Sequence, residues 1–399
     1  MNRTERIILT ILACINFTHI LDFMIMMPLG NYLMPHFSIG TSFFSLIVAA
    51  YPITACVSGI VAAFYVDRYD RKRILLFAYA GFLLGTLCCG IAPDEWFLVV
   101  ARVVTGVFGG LIGAQVLSII ADIFPYEKRG RAMSSIFMAF AAASVFGVPF
   151  SLYLANKISW HAPFIFIALV GTVILPMINK FLPPVRSHIH ATVQRLSIMQ
   201  VLRQIFGDPA QRMALILAGT LMFGHFLLIP FLNPFLEFNK GFTKTQTPLV
   251  YMVGGVASMI ASSFIGRLAD HYGKFRVFLI SVICSLIPIF IITNLPDYHM
   301  WVVLAIFGFW FAASTSRNIP VQAMISTVVQ PEHRGRFMSF NSSFQQLFTG
   351  LASLVSGGIV YTSANGEIVN YNLVGYFSVL VVSSTIYLGY LLAKRQKLK

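Results

Sequence analysis

Long apolar runs separated by short polar segments dominate the pattern along the chain. A bilayer core of ~30 Å needs about 20 residues of helix, and each helix satisfies its own backbone hydrogen bonds. The runs that meet this length are Ile7–Leu33, Phe43–Val66, Ile74–Ala92, Phe97–Phe124, Ala132–Ala155, Ala162–Leu182, Met213–Leu236, Thr247–Ala269, Val277–Leu295, Trp301–Val328, Phe337–Tyr361 and Leu373–Ala393. The pattern predicts an all-α integral membrane protein with twelve transmembrane helices.

One polar stretch, Pro183–Gln211, is longer than the other connections and contains an amphipathic run from Gln194 to Phe206. We interpret residues 183–211 as a linker with an amphipathic helix on the cytoplasmic side. It separates two six-helix halves, residues 1–182 and 212–399.

Composition supports a lipid environment for most of the chain. Of 399 residues, 57% are hydrophobic and only 11% are charged, whereas soluble domains carry about 25% charged residues. The first run is too long for the apolar core of a cleavable signal peptide and is interpreted as a retained span. The five cysteines lie in apolar stretches without metal-ligand spacing, so we interpret them as buried apolar residues.

The chain has a net charge of +14, and the distribution of its Lys and Arg residues indicates the orientation in the membrane. With the N-terminus inside, 23 of the 28 Lys and Arg residues fall in inside segments, and only Lys157, Lys240 and Lys244 fall in outside loops. Because cytoplasmic loops are enriched in Lys and Arg, both termini are predicted to be cytoplasmic, in a bacterial-type inner membrane. A nucleic-acid partner is not expected.

The two halves repeat each other at a nearly constant offset. His19 and His225 lie 206 positions apart, Asp67 and Asp270 lie 203 apart, and a loop with a proline followed by Arg-Gly-Arg recurs after predicted spans four and ten. Repeated six-helix halves are a known transporter architecture.

At these loops the chain resembles the major facilitator superfamily. The family signature G-x-L-A-D-R-x-G-R-K is matched from Gly266 to Lys274, while the first copy has Ala63 and Asp70 where glycines are usual. Arg102 to Gly106 is similar to the R-x-x-x-G motif of span four. Ala143 to Pro149 resembles the antiporter signature of span five, with Gly147 and Pro149 as its motif residues. The most similar group is the twelve-span drug and sugar efflux transporters, called arabinose-efflux-like.

The resemblance implies that the loop residues latch the two halves together on the cytoplasmic side in the outward-open state. A carboxylate such as Asp67 can stabilise a helix N-terminus, and Arg71 can pair with Asp122. The alternative is that these loop charges are simply solvated. The residues of this expected latch are Asp67, Arg68, Arg71, Lys72, Asp122, Gly266, Asp270, Gly273 and Lys274.

Five ionisable residues lie deep in predicted spans, where charges are costly and therefore candidates for function. They are His19, Asp22, Arg102, His225 and Arg317. By helix rise, Asp22 lies ~22 Å from the inner end of span one and Arg102 ~9 Å from the outer end of span four. These depths match, so an Asp22–Arg102 pair is expected.

We hypothesise that Asp22 takes up and releases the coupling proton while Arg102 tunes its pKa. His19 shares the helix face of Asp22 and titrates near neutral pH, which suits a relay. The alternatives are a static ion pair that orients helices and a neutral His19 bonded to a backbone carbonyl.

A second group, Arg317, Asn318 and His225, is expected to line the substrate cavity. Basic groups outnumber acidic ones at depth, which favours an anionic or zwitterionic solute. Alternatively, Arg317 bonds backbone groups that are freed by Pro320.

The sequence contains no P-loop, zinc motif or nucleophile elbow, so neither an enzyme nor a metal or other cofactor is expected. The function predicted is proton-coupled efflux of a small organic solute by alternating access, with a monomer as the working unit. An importer or a lipid or lysolipid transporter of the same fold is the alternative.

Overall fold

The computed structural model describes residues 3–65, 68–124, 132–133, 136, 138–186, 198–330 and 334–397. We call the face where the first helix begins the inner face and the opposite one the outer face, following the charge-based prediction. Up to residue 186, the described helical segments include α1 (Arg3–Ile25), α2 (Gly30–Phe37), α3 (Thr41–Tyr65), α4 (Arg71–Gly90), α5 (Glu95–Ile123), the π-helical segment π1 (Ala143–Gly147), α6 (Val148–Lys157) and α7 (Ala162–Phe181). Residues 138–142 are helical as well and lead into π1.

The remaining described chain is also helical apart from one short hairpin. Its helical segments are α8 (Ile198–Gly207), α9 (Pro209–Phe226), α10 (Ile229–Pro234), π2 (Phe235–Asn239), α11 (Thr247–Tyr272), α12 (Lys274–Thr293), α13 (Met300–Ser326), α14 (Arg334–Ile359) and α15 (Tyr371–Lys397). Strands β1 (Tyr361–Thr362) and β2 (Ile368–Val369) pair antiparallel between α14 and α15. The predicted amphipathic helix of the linker is represented by α8, and residues 187–197 lie outside the described part.

The all-α membrane architecture is confirmed, but the count of twelve spans is not. Eleven helical stretches of the described chain are long and apolar enough to cross a membrane. The predicted eleventh span corresponds to α14, which has 26 residues but is rich in Ser, Asn and Gln. Several of these polar residues, including Asn341, Ser353 and Ser356, are buried. These buried polar side chains are therefore shielded by protein.

Predicted spans one and seven are interrupted near the outer face. Helix α1 ends at Ile25 and α2 begins at Gly30, while α9 ends at Phe226 and α10 begins at Ile229. Pro28 and Pro230 lie at these breaks, and proline lacks the N–H that would continue a helix. Hydrophobicity alone could not show the breaks, because the residues there remain apolar and buried.

Aspartate side chains start three of the helices. Asp70, Asp94 and Asp208 each accept a hydrogen bond from a backbone N–H in the first turn of α4, α5 and α9, respectively. Such caps satisfy donors that the helix leaves unpaired. They hold the inner ends of α4 and α9 and the outer end of α5.

The outer face is closed by hydrogen bonds between early and late parts of the chain. These bonds run from Asn31 Nδ2 to Glu237 Oε2 (2.5 Å), from Asn233 Nδ2 to the Pro28 carbonyl (3.1 Å), from Thr41 Oγ1 to the Val360 carbonyl (2.7 Å) and from Ser42 Oγ to the Gly357 carbonyl (3.0 Å). Below them, α3 and α14 form an extensive helix pair. Gly357 makes this approach possible, since a Cβ there would lie 2.4 Å from the Ser45 Cβ.

Candidate functional site

A buried ion pair joins α1 and α5. Arg102 Nη1 lies 2.7 Å from Asp22 Oδ2, with side-chain exposures of 1% and 0%. The second carboxylate oxygen, Oδ1, accepts a hydrogen bond from Thr86 Oγ1 on α4 at 3.1 Å. The structure thus brings together the two residues whose depths matched in the sequence, and adds a hydroxyl donor that the sequence did not single out.

Tyr51 on α3 links this ion pair to His19. The Arg102 guanidinium lies 4.7 Å from the centre of the Tyr51 ring, and the Tyr51 hydroxyl lies 2.6 Å from His19 Nε2. A side chain at Gly109 would collide with that hydroxyl, since its Cβ would lie 2.4 Å away. His19 therefore bonds a tyrosine hydroxyl through Nε2 and connects to the pair through an aromatic ring.

The motif residues of span five lie beside the ion pair. The segment π1 ends at Gly147, and Pro149 follows in the first turn of α6. Because Pro149 has no N–H, a regular helix cannot form there without loss of a hydrogen bond, and a π-helical turn accommodates the irregularity. A Cβ at Gly147 would lie 2.8 Å from Leu21 Cδ1, so glycine brings span five against α1 one residue from Asp22.

Arg317 on α13 is fully buried and lacks a carboxylate partner in the described structure. Its Nη1 donates to Ser285 Oγ on α12 at 2.9 Å. Its Nε and Nη2 have no hydrogen-bond partner among the described residues. A contact with backbone freed by Pro320 is not among the bonds observed, so the guanidinium charge is left uncompensated.

The rings of His225 and Trp310 pack in a tilted arrangement, with an interplanar angle of 34° and a centroid distance of 5.0 Å. The buried His225 Nδ1 and Trp310 Nε1 atoms have no hydrogen-bond partner within the described part of the chain. Arg317 acts electrostatically on His225. Asn318, by contrast, donates to the Ser314 carbonyl one helical turn earlier, at 3.0 Å. Together, the fully buried Arg317 and Trp310 and the half-buried His225 form a group that we call the arginine cluster.

The inner-face loop of the first half is held by several polar contacts. Arg71 Nε lies 2.5 Å from Asp122 Oδ2, so the expected Arg71–Asp122 pair is present. Lys72 Nζ donates to the Asn179 carbonyl at 2.7 Å. Arg68 is exposed, and Asp67 lies outside the described residues.

Asp70 provides the helix cap that we expected of Asp67. Its carboxylate accepts bonds from the backbone N–H groups of Lys72 and Val185 and from Arg186 Nε. Burial raises the pKa of Asp70, but these hydrogen bonds outweigh burial and lower it overall. The residue that departs from the family's glycine thus ties α4 to the segment after α7.

The second copy of the loop signature, from Gly266 to Lys274, makes few side-chain contacts with other described residues. Asp270 is exposed, and its side chain forms no hydrogen bond or ion pair with any described residue. A Cβ at Gly266 would meet open space. Gly273 has φ +94°, which favours glycine at the turn from α11 to Lys274 at the start of α12. The structure places these four residues together at the inner face, and among the described residues they do not form the latch contacts that the resemblance implies.

These observations define a polytopic helical membrane protein with ionisable groups buried inside its apolar helices. A comparison with protein families gives the family: the model of the Major Facilitator Superfamily matches residues 12–353. The chain belongs to the major facilitator superfamily and is a membrane transporter.

Relatives and solved structures agree with this assignment. The chain is 23% identical over 368 residues to the uncharacterized MFS-type transporter YceJ of Bacillus subtilis, covering 92% of each protein. It is 25% identical over 282 residues, 70% of each, to a probable sugar efflux transporter of Helicobacter pylori strain G27. The crystal structure of a D-xylose–proton symporter matches with a TM-score of 0.76 at 16% identity, covering 96% of this chain and 97% of that one. The occupied, inward-facing structure of a bacterial homolog of the human lysosomal transporter Spinster also gives 0.76 at 16% identity, with coverage of 99% and 98%.

Proposed function

We propose that this transporter exports a small organic solute with an anionic or zwitterionic group in exchange for protons. It works as a monomer of two six-helix halves, residues 1–182 and 212–399, joined by the linker 183–211. Both termini lie in the cytoplasm of a bacterial-type inner membrane. The probable sugar efflux transporters among the relatives support efflux.

The uncompensated charge of Arg317 is the observation that supports an anionic or zwitterionic substrate. A buried charge needs a partner, because the desolvation penalty is several kcal/mol per ion. Of the fourteen Asp and Glu residues in the chain, Asp22 alone lies deep within a predicted span, and Asp22 already pairs with Arg102. The missing negative charge therefore comes from the substrate. Trp310 and His225 supply an aromatic surface beside it, and Asn318 lies on the same helix.

Proton coupling is assigned to Asp22. Protonation removes the charge that attracts Arg102, and a proton-dependent change in this contact can favour one conformation over another. His19 connects to the same site through Tyr51 and is the proposed relay residue. The latch residues of the inner face join when that face closes, which the exposed Asp270 allows.

Proton release by the purified protein tests the proposal. Anionic metabolites, siderophore-like chelators and cationic dyes are added in turn in weakly buffered solution, and the pH change is recorded. We expect release with one anionic or zwitterionic class, no release in Asp22→Asn, and weakened binding in Arg317→Gln. Asp297→Asn is the matched control, because that carboxylate is 95% exposed on an outer loop.

The possible outcomes separate the two parts of the proposal. Binding without proton release in the wild-type protein would refute coupling and favour a uniporter or lipid transporter. Equal binding in Arg317→Gln and the wild type would refute the role of Arg317 in substrate recognition. Release in Asp22→Asn would move the coupling site elsewhere.

A further inference from the structure

A cavity of about 540 Å³ opens at the outer face, outside the arginine cluster and the ion pair. Its volume is in the range of small-molecule sites. Its lining is aromatic and polar, and includes Tyr32, His36, Asn156, Trp160, His161 and Lys244. No carboxylate is among the described residues that line it.

Among the described residues of this lining, Lys244 supplies the one permanent positive charge. Its ammonium lies 4.3 Å from the centre of the Tyr32 ring, which holds it over the cavity. The neighbouring Glu237 acts on it electrostatically, but both carboxylate oxygens of Glu237 already accept hydrogen bonds, from Asn31 at 2.5 Å and from Thr247 at 2.8 Å. The ammonium forms no ion pair with a carboxylate of the described residues.

The opposite wall is built from stacked rings. Trp160 and His161 stack with ring centroids 3.7 Å apart, and His36 lies 6.2 Å from His161. His161 Nδ1 lies 3.0 Å from the Gly90 carbonyl, so it carries the proton, because a carbonyl only accepts. Burial lowers the pKa of His161, and its Nε2 is therefore an acceptor for a ligand hydroxyl at neutral pH. A charged donor on one side and ring and acceptor groups on the other suit a hydroxylated anion.

We infer that this cavity binds a small hydroxylated oxyanion from outside and thereby stabilises the conformation whose outer face is closed. Nine of the ten described lining residues precede residue 162, and the tenth, Lys244, comes from the turn between π2 and α11. Opening the outer face separates Lys244 from the other nine. A ligand that bridges them favours the closed state by its difference in affinity for the two states.

This site is separate from the proposed substrate-binding residues, because no residue of the arginine cluster contributes to it. Its ligand acts from the outside on the rate of opening. A product that accumulates outside would therefore slow its own export if it carries the same chemistry.

The reactivity of a cysteine placed between α3 and α14 at the outer face tests the inference. Ser45 is fully buried, so Ser45→Cys reacts with a membrane-impermeant maleimide only when the outer face opens. Gluconate is the probe, sorbitol is the neutral control, and inorganic phosphate tests whether the hydroxyl groups are needed. We expect gluconate outside to slow labelling by about tenfold at nine times its Kd, with no effect of sorbitol.

The matched variants are Lys244→Gln and Lys240→Gln in the Ser45→Cys protein. Both remove a positive charge at the outer face, but Lys240 lines a different depression, next to Asp297. Gluconate protection should disappear in Lys244→Gln and persist in Lys240→Gln. Equal protection in both variants, protection by sorbitol, or no protection in the parent protein would overturn the inference. Phosphate protection equal to that of gluconate would retain the anion site but remove the hydroxyl requirement.

Discussion

The Asp22–Arg102 pair gives the sharpest test of how charge is accommodated in this bundle. Asp22→Asn keeps the size of the side chain and an oxygen that can accept from Thr86, but removes the negative charge. At the observed 2.7 Å, the Coulomb attraction is about 6 kcal/mol for an effective dielectric constant of 20. Much of this attraction is offset by the free energy needed to remove the two charges from water. The quantity that can be measured is the loss of stability when Arg102 is left without its partner, about 3–5 kcal/mol for a buried ion pair.

A double-mutant cycle measures this cost. Unfolding in mixed micelles with increasing SDS is followed for the wild type, Asp22→Asn, Arg102→Gln and the double variant. We expect each single variant to lose about 3 kcal/mol or more, and the double variant to lose clearly less than the sum. Single losses below about 1 kcal/mol that add without coupling would show that the pair contributes no net interaction. The proton-coupling proposal would then lose its structural basis.

Three further predictions concern other parts of the molecule. Gly357→Leu should open the outer face and raise maleimide labelling of Ser45→Cys, because overpacking costs about 1–3 kcal/mol. Gly358→Leu is the control, since a Cβ there meets open space, and equal labelling of the two variants would show that the α3–α14 contact at Gly357 does not close the outer face. Arg317→Leu should raise the unfolding midpoint while abolishing binding of anionic solutes, because it removes an uncompensated buried charge; a lowered midpoint would show that the charge is compensated. The pKa of Asp70 is lowered in the folded protein, so its stabilising contribution is complete above the unfolded-state pKa of about 4 and is lost as the pH falls through the folded-state pKa. Asp70→Asn should therefore flatten the dependence of thermal stability on pH below pH 4, and a profile equal to that of the wild type would refute this.

The parts of the site that sequence reasoning found are those with a high energetic cost in lipid. Asp22, Arg102 and Arg317 could be identified because charges are rare in apolar runs, and the partner of Asp22 followed from counting residues along two antiparallel helices. Tyr51 and Thr86 were missed because hydroxyl groups in apolar helices are common and carry no such signal.

Local structure at the inner face shows another limit of the sequence. The family signature directed attention to Asp67, whereas the cap on α4 is Asp70, a residue that replaces a glycine of the pattern. Whether an aspartate caps a helix depends on where the helix starts, and sequence patterns fix boundaries only within several residues. The partner segment at Val185 is more than 100 positions away, and nothing local predicts it.

One of the hydrogen bonds that close the outer face also reflects the internal repeat of the chain. Asn31 and Glu237 bond to each other and lie 206 positions apart, the same offset that relates His19 to His225. Equivalent positions that touch must lie on the axis relating the two copies, as residues do at the centre of an isologous dimer. In a dimer of identical halves, the residue at such a position would contact the same residue of the other copy. Two glutamates would repel each other, and two asparagines would form a hydrogen bond without a charged partner. A fused chain can place an amide on one side of the axis and a carboxylate on the other.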